Sequence, residues 1–329
     1  MFDTFRRHLL IGLGLACVTL GAVQAETSFP VEVPHAFGVT TIEARPTRVV
    51  TVNWANHEVP LALGVVPLGM AAANFGDDDG DRMLPWVSAR LEELGAPQPV
   101  LFDEGDGLDF EAIAALRPDV ILGAYSGMSA QDYGILSQIA PTVAYPDAPW
   151  TTSWRDMIRL NSAGLGLVEE GEALIDDLDH QIDSAAARHP EIAGKNAVFV
   201  THLDPTDLSR VRFYTDNDTR VAFLHDLGLT SPDAVREVSA EGRFAGEISA
   251  ERIDMLNDVD VIVTYGTEAL VETLRGNTLT RQMPAIANDA VVLLANDPLG
   301  TAASPTPLSI PYLLDRYVEL LAEAAARAQ

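Results

Sequence analysis

The sequence predicts an α/β protein with two lobes that are joined by one long helix. Short β-branched runs alternate with segments of helical spacing, which is typical of buried parallel strands and their connecting helices. This alternation occurs once in residues 48–145 and again in residues 197–294. A long helical stretch, Glu169–His189, lies between the two halves. Two α/β lobes with a helical connection account for all three observations.

Each half contains four strand candidates and three helix candidates. The strands predicted in the first half are Arg48–Asn53, Val65–Ala71, Asp119–Gly123 and Thr142–Tyr145. The helices predicted between them are Glu58–Leu63, Phe110–Leu116 and Ser129–Ile139. The strands predicted in the second half are Ala197–Thr201, Val211–Tyr214, Val259–Thr264 and Ala290–Leu294. The helices predicted there are Arg220–Leu227, Ala250–Leu256 and Glu268–Leu274.

The segment between the halves has the periodicity of two consecutive helices. The first covers Ser153–Ala163, and the second covers Glu169–His189 before Pro190 ends it. A helix of that length is a rod of about 30 Å, which can join two lobes stiffly and leave a preformed cleft between them. The alternative is a long helix packed on one sheet. We place the N-terminal lobe at 26–152, the connecting segment at 153–190 and the C-terminal lobe at 191–329.

Residues 1–25 have the features of an export signal. Basic residues 6–8 precede the apolar run Leu9–Leu20, and small residues before Ala25 suit signal peptidase. We therefore expect cleavage near Ala25 and a periplasmic protein. A twin-arginine export route and a lipid anchor on Cys17 are the less favoured alternatives.

The charge balance argues against nucleic acid as a partner. The 329 residues include 48 Asp and Glu against 21 Lys and Arg, which gives a net charge of −27. Only Lys195 is lysine, and the arginines form no basic cluster. The single cysteine lies in the export signal, so the exported fold needs no disulfide. We expect a monomer.

The chain lacks the common catalytic and metal-binding motifs. It has no Gly-x-Ser-x-Gly, no phosphate-binding loop with Gly-Lys-Ser/Thr, no His-Glu-x-x-His and no cysteine pair. The acidic run 77–81 resembles the start of a calcium loop, but Ser88 stands where a closing Glu is needed. We therefore favour a solvated loop. The sequence predicts binding without catalysis, with no cofactor and no metal held directly by the protein.

Short motifs occur in a characteristic order over residues 45–325. Those of the first half are Arg48-Val49-Val50, Pro67-Leu68-Gly69, Phe110-Glu111-Ala112-Ile113 and Pro118-Asp119-Val120-Ile121. Those of the second half are Thr219-Arg220, Ile248-Ser249-Ala250-Glu251, Asn277-Thr278-Leu279 and Met283-Pro284-Ala285. None of these motifs is specific alone, but their order resembles the order found in the periplasmic iron-siderophore and cobalamin binding proteins of ABC importers.

This resemblance implies two Rossmann-like lobes joined by one long backbone helix, with a ligand cleft between them. It also implies a substrate-binding protein that captures a ferric siderophore and delivers it to a membrane permease. A cobalamin or haem carrier is the alternative among binding proteins. An exported α/β hydrolase with an unrecognised site is the alternative from another class.

A siderophore supplies the oxygen ligands of its own iron, so the protein must supply cations, hydrogen-bond donors and aromatic walls. In open α/β sheets such groups belong at the strand ends that face the cleft. Three residues satisfy this condition and also match positions of ligand contacts in the family: Tyr125, Arg220 and Arg243. Five more follow predicted strands or lie near the cleft mouth: Trp54, His57, Asn74, Phe75 and Trp150.

Each of the three matched residues has a structural alternative. Tyr125 could pack in the core, Arg220 could pair with Asp216 or Asp218 on the surface, and Arg243 stands close to Glu241. One segment also departs from the family pattern. Hydroxamate-binding relatives tend to carry Arg shortly before the Phe110 helix, whereas this chain has the acidic segment 103–107. This departure argues against a hydroxamate ligand and leaves carboxylate, catecholate or mixed chelates, or a corrinoid or haem, open.

Two glutamates match the residues that dock onto the permease subunits in the family. Glu111 stands in the first lobe and Glu251 in the second, each near the start of a predicted helix. A carboxylate in a first helical turn is also stabilised by the helix dipole, by about 0.3–1 kcal/mol. This preference is the structural alternative to docking.

Overall fold

The computed structural model describes residues 28–201, 203 and 205–328. It contains two five-stranded sheets, one in each half of the chain, and a separate β-hairpin near its start. The predicted α/β fold with two lobes is confirmed. The predicted export signal, with Ala25 and Cys17, lies outside the described residues. None of the helices in the described part of the chain is long and apolar enough to span a membrane.

The sheet of the first lobe is entirely parallel. The hairpin strands are β1 (Val31–His35) and β2 (Gly38–Ile42), and the sheet strands are β3 (Val49–Thr51), β4 (Gly69–Ala71), β5 (Val100–Phe102), β6 (Val120–Leu122) and β7 (Thr142–Val143). The helices are α1 (Glu58–Ala62), α2 (Pro85–Glu93), α3 (Phe110–Ala115) and α4 (Ala130–Ile139). The strand order is β5-β4-β3-β6-β7. The chain adds β4 and β5 on one side of β3 and then crosses to the other side to add β6 and β7. Ligands bind at such a crossing, beyond the carboxyl ends of the strands.

Two helices connect the lobes: α5 (Trp154–Leu165) and α6 (Val168–Ala187). Between them Gly166 has φ 67°, a left-handed conformation that ends α5. The apolar face of α6 buries Leu178, Ile182 and Ala185, as their spacing predicts. The 20 residues of α6 span about 30 Å. The predicted domain boundaries stay predictions.

The sheet of the second lobe is mixed. Its strands are β8 (Ala197–Val200), β9 (Arg210–Tyr214), β10 (Ala245–Ser249), β11 (Val261–Tyr265) and β12 (Val291–Leu294), in the order β10-β9-β8-β11-β12. Its helices are α7 (Thr219–Asp226), α8 (Asp233–Ala240), α9 (Glu268–Gly276), α10 (Pro284–Ala287) and α11 (Ser309–Arg327).

Two predicted elements of the second lobe differ from the structure. Strand β9 is antiparallel to both neighbours, and its side chains alternate between exposed and buried, which is typical of an antiparallel strand with one solvated face. The predicted α-helix Ala250–Leu256 is a 3₁₀ segment, and Arg252 inside it leaves helical geometry. Its few buried residues do not support a regular amphipathic helix.

One hydrophobic cluster extends through both lobes and the connection. It includes Met70 and Trp86 of the first lobe, Leu178 of α6, and Phe199 and Tyr317 of the second lobe. Opening the lobes would expose this shared core to water, which is unfavourable in proportion to the apolar area exposed. The shared core therefore stabilises the arrangement of the two lobes.

An ion-pair network reinforces the same interface. Arg155 of α5 donates to Asp226 of α7 at 3.0 and 3.1 Å and also pairs with Asp179 of α6. The indole N–H of Trp154 donates to Asp226 at 3.0 Å. Because Asp226 ends α7, this network anchors a second-lobe helix to the connecting segment.

Candidate ligand-binding cleft

A cavity of about 230 Å³ opens between the lobes, beyond the carboxyl ends of the strands. The first lobe contributes mainly aromatic side chains to its lining, together with one amide: Trp54, Asn74, Phe75, Tyr125 and Trp150. The second lobe contributes one cation, one phenol and two hydroxyls: Arg220, Tyr265, Thr301 and Ser304. We refer to this space, with these nine residues, as the interlobe cleft.

Trp54 stands on a tightly bent loop that follows β3. The residues on either side of it, Asn53 and Ala55, have φ values of 59° and 62°, a left-handed conformation that is unfavourable for residues with a side chain. The Glu104 carboxylate stabilises the first of these residues. It accepts the Asn53 backbone N–H at 2.9 Å and the Asn53 side-chain N–H at 2.9 Å.

Glu104 belongs to the acidic segment 103–107 that departs from the family pattern. Burial raises the pKa of its carboxyl, against the lowering effect of the hydrogen bonds from Asn53. The carboxylate is therefore used to hold the Trp54 loop, and it is absent from the residues that line the interlobe cleft.

Tyr125 follows β6 and forms the opposite part of the aromatic wall. Its ring meets Trp150 edge-on at a centroid distance of 5.3 Å. Trp150 lies against Gly127, where a Cβ would come within 2.4 Å of the indole nitrogen. Burial raises the pKa of the Tyr125 hydroxyl, which also hydrogen-bonds to Thr219 of α7. The Tyr125 contact therefore joins the two lobes on one side of the cleft.

Phe75 joins the lobes on the other side. Its ring meets Tyr265 edge-on at a centroid distance of 5.7 Å. Next to it, the Gly76 N–H donates to the Asn296 side chain at 2.9 Å. The cleft is therefore bounded by contacts between the lobes at both ends, which fits a preformed site.

Arg220 lies in the first turn of α7, two residues after the capping residue Asp218. Its Nε donates to Asp218 Oδ1 at 2.8 Å and its Nη2 donates to Asp218 Oδ2 at 2.6 Å. The Asp218 side chain is fully buried and the Arg220 side chain is 18% exposed. The guanidinium also stacks over the Tyr214 ring, 3.9 Å from its centroid.

The ion pair determines the charge of the site. Burial alone would lower the pKa of Arg220, but the hydrogen bonds and charge of Asp218 raise it overall. The Arg220 guanidinium therefore stays charged, and the Asp218 side chain is its buried partner. Among the described residues that line the interlobe cleft, Arg220 is the only charged one. The cleft thus offers hydrogen-bond donors and aromatic faces with no net charge.

Six of the eight predicted binding residues line the interlobe cleft: Trp54, Asn74, Phe75, Tyr125, Trp150 and Arg220. His57 does not. It is buried in a small enclosed space behind Trp54, next to Met70 and Leu84. Burial lowers the pKa of His57 to about 4.

Arg243 also lies apart from the residues that line the cleft. Its side chain is 52% exposed and pairs with Glu241 at 3.4 Å. Within the second lobe, its backbone carbonyl accepts hydrogen bonds from the side chains of Thr215 and Asn217. This surface pairing with Glu241 was the structural alternative for Arg243.

Sequence reasoning missed three lining residues: Tyr265, Thr301 and Ser304. Tyr265 ends β11, one residue beyond the predicted strand, so the rule of strand ends could have found it. Thr301 ends the 3₁₀ turn Pro298–Thr301 after β12, and Ser304 lies in the irregular chain beyond it, where no local pattern marks them.

The two predicted docking residues are exposed, one on each lobe. Glu111 lies in the first turn of α3, and Glu251 lies in the first turn of the 3₁₀ segment 250–256. Both carboxylates are available to a partner. Their positions fit docking and the helix-dipole preference equally well.

Carboxylate oxygens of Asp77, Asp79 and Asp81 lie within 4.8 Å of one another. Asp77 accepts the backbone N–H groups of Gly80 at 2.8 Å and Arg82 at 3.1 Å. These bonds close the loop on itself, as expected for a solvated acidic turn.

Comparison with known proteins agrees with the fold. A model of the periplasmic binding protein family matches residues 49–298. The iron dicitrate-binding periplasmic protein FecB of Escherichia coli is 27% identical over 274 residues, which cover 80% of this chain and 82% of FecB. The probable siderophore-binding lipoprotein YfiY of Bacillus subtilis is 26% identical over 234 residues, which cover 71% and 67%.

A solved structure resembles the chain over nearly its whole length. PiaA of Streptococcus pneumoniae, determined in complex with ferrichrome, is 43% identical and superposes with a TM-score of 0.86. The superposition covers 91% of this chain and 100% of PiaA.

Proposed function

The chain belongs to the periplasmic binding protein family, and we propose that it captures a ferric siderophore of no net charge in the interlobe cleft and delivers it to an ABC importer. The function is binding and release without chemical change. The similarity to the probable siderophore-binding lipoprotein YfiY and to the iron dicitrate-binding protein FecB supports this class of ligand. The ferrichrome complex of PiaA supports it further.

The observation that carries the choice of chelate is the Arg220–Asp218 pair. An anionic chelate needs uncompensated cations to repay its desolvation, whereas the cation in this cleft already has a buried counter-ion. Three hydroxamates exactly offset the charge of Fe(III), whereas three catecholates leave a large negative charge. The site therefore favours a hydroxamate chelate over the catecholate and carboxylate chelates that the acidic segment suggested.

The aromatic wall supplies the remaining affinity. Trp54, Tyr125 and Trp150 present ring surface to the organic parts of the chelate, and such surface is favourable to bury. Arg220 Nη1 is the part of the guanidinium that Asp218 does not engage. We infer that it donates to a chelate oxygen, because Arg presents several N–H donors in a fixed plane.

We propose delivery to the permease through Glu111 and Glu251. Their exposure and their positions on different lobes would let the protein present both lobes to a transporter that has two membrane subunits. We also propose export through residues 1–25, so that the protein meets its ligand outside the cytoplasmic membrane.

Titration of the purified protein with a panel of chelates, followed by tryptophan fluorescence, tests the ligand. The panel is ferrichrome, a ferric triscatecholate, ferric dicitrate, haem and cobalamin, with iron-free ferrichrome as the control. We expect saturable quenching by ferrichrome at the lowest concentrations. Tighter binding of the triscatecholate or dicitrate would overturn the charge argument. Binding of haem or cobalamin alone would overturn the iron assignment, and turnover of ester substrates would overturn the class.

A further inference from the structure

One buried side chain connects the two loops that form the aromatic wall. Asn56 lies between β3 and α1 and is 0% exposed. Its Nδ2 donates to the Val52 carbonyl at 2.8 Å and to the Tyr125 carbonyl at 2.7 Å. Its Oδ1 accepts the Tyr125 backbone N–H at 2.9 Å. Two reciprocal hydrogen bonds therefore fasten the Tyr125 backbone to this side chain.

The Asn56 carboxamide is fully used. A second donor, Nδ2 of the buried residue Asn161 on α5, reaches Oδ1 at 3.0 Å. A carboxamide has two N–H donors and two strong acceptor positions, and here all four have partners. The reverse orientation would set Nδ2 against the Tyr125 N–H, so the network permits one arrangement. A buried carboxamide whose donors and acceptors all have partners is held in a single geometry.

The same amide supports the Trp54 loop from its far end. Glu104 holds Asn53 on one side of Trp54, whereas Ala55 on the other side has no polar side chain of its own. The bond from Asn56 to the Val52 carbonyl closes the loop over this left-handed residue. A further, longer contact reaches the Trp54 carbonyl at 3.3 Å. Both ring-bearing loops thus depend on Asn56.

We propose that Asn56 is a positioning residue, whose carboxamide sets Trp54 and Tyr125 in their binding arrangement before the ligand arrives. The inference rests on the proposed function, since it takes these two residues as ligand contacts. A wall that is already ordered saves the entropy cost of ordering it on binding. If the wall were loosened, only a fraction of molecules would be competent, and the apparent affinity would fall by that fraction.

The substitution Asn56→Asp isolates this role because it keeps the size and the acceptor. Tyr125 N–H and Asn161 keep a partner, whereas the carbonyls of Val52 and Tyr125 then face an oxygen instead of a donor. Asn288→Asp makes the same chemical change at an exposed position beyond the last residue of α10 and is the matched control.

Stopped-flow fluorescence with ferrichrome measures the effect on binding. In Asn56→Asp we expect the association rate constant to fall by about tenfold and the dissociation rate constant to change by less than about threefold. A general loss of folded protein would instead reduce the signal amplitude and leave both rate constants unchanged. Equal association rate constants in Asn56→Asp and Asn288→Asp would overturn the inference. Failure of the unaltered protein to bind ferrichrome would count against the proposed ligand.

A second readout needs no ligand. The chain has four tryptophans, and 5-fluorotryptophan labelling gives each its own ¹⁹F resonance. In ligand-free Asn56→Asp we expect the Trp54 resonance to shift or broaden, whereas the buried Trp86 and Trp154 keep theirs. An unchanged Trp54 resonance would overturn the inference whatever the ligand is.

A milder variant covers the case in which Asn56→Asp does not fold. Asn161→Ala removes one of the four bonds to the carboxamide and leaves the other three. We expect the same change of the Trp54 resonance, together with an association rate constant lower by about threefold. A folded Asn161→Ala protein with an unaltered Trp54 resonance would contradict the positioning role.

Discussion

The Glu58 carboxylate accepts a hydrogen bond from the Thr306 hydroxyl, and this bond joins the first lobe to the segment before α11. The same carboxylate accepts the Leu308 N–H at 3.0 Å and the Trp86 indole N–H at 2.8 Å. Burial raises the pKa of Glu58 to about 7, although these hydrogen bonds act in the opposite direction. The interface between the lobes therefore contains a carboxyl that titrates near neutral pH.

The pKa of the preceding residue, His57, is shifted in the opposite direction. Burial lowers its pKa from 6.5 to about 4. The folded protein therefore binds more protons than the unfolded chain at Glu58 and fewer at His57. The contribution of Glu58 to the free energy of unfolding falls as pH rises from 4.5 to 7, whereas that of His57 grows as pH rises from 4 to 6.5. The effects of Glu58 and His57 on the pH dependence of stability therefore oppose each other over most of this range.

Glu58→Gln should reveal how much the Glu58 carboxyl contributes to the pH dependence of the free energy of unfolding. The variant lacks the stability that Glu58 provides at low pH, so its destabilisation should shrink by about 3 kcal/mol between pH 4.5 and pH 7. Urea unfolding of both proteins across this range measures the difference. Parallel stability curves would show that Glu58 is not the titrating group.

His57→Gln should behave in the opposite way. The unaltered protein gains stability as the unfolded histidine loses its proton, so the destabilisation of the variant should grow by about 3 kcal/mol from pH 4 to pH 6.5. The same urea experiment applies. His180→Gln changes the same type of side chain at an exposed position and serves as the control. A destabilisation independent of pH would contradict the effect of burial on His57.

The position of the cleft could be predicted because parallel strands end at a common edge. Residues that follow β3, β4 and β6 therefore meet without any knowledge of side-chain packing, which places Trp54, Phe75 and Tyr125 together. The same rule wrongly placed His57 in the lining of the cleft. That residue directly precedes α1, and the turn into the helix directs it behind Trp54.

Features that depend on long-range packing could not be predicted. Thr301 and Ser304 reach the cleft only because the 3₁₀ turn Pro298–Thr301 and the residues after it pack against the first lobe. Asn56 has the sequence pattern of a polar loop residue, and its partner Asn161 is 105 residues away. The only sequence signal for the antiparallel direction of β9 is the alternation of exposed and buried residues over its five positions. That signal is weak beside the apolar runs of the neighbouring strands.

Arg220→Gln should impair both stability and ligand binding. The fully buried Asp218 would lose its counter-ion, which typically costs about 3–5 kcal/mol of stability. Loss of the guanidinium donors should weaken ferrichrome binding by about 1.5–3 kcal/mol, the usual contribution of a hydrogen bond that involves a charged group. Urea unfolding and isothermal titration calorimetry measure the two effects separately.

The double variant Arg220→Gln with Asp218→Asn separates these roles. It removes the unpaired charge and keeps a side chain that can cap α7, so most of the stability should return. Binding should stay as weak as in Arg220→Gln, because the donors to the chelate are still missing. Recovery of full affinity in the double variant would show that Arg220 serves only as the partner of Asp218.

Glu111→Ala combined with Glu251→Ala should leave ferrichrome affinity unchanged and reduce iron uptake in cells by at least about tenfold, because a charged contact with the importer would be lost on each lobe. Radiolabelled iron uptake measures the effect in a strain that carries the cognate importer. Glu169→Ala with Glu268→Ala removes two exposed carboxylates from other first helical turns and is the matched control. Equal uptake in both double variants would mean that Glu111 and Glu251 serve the helix dipole and not docking.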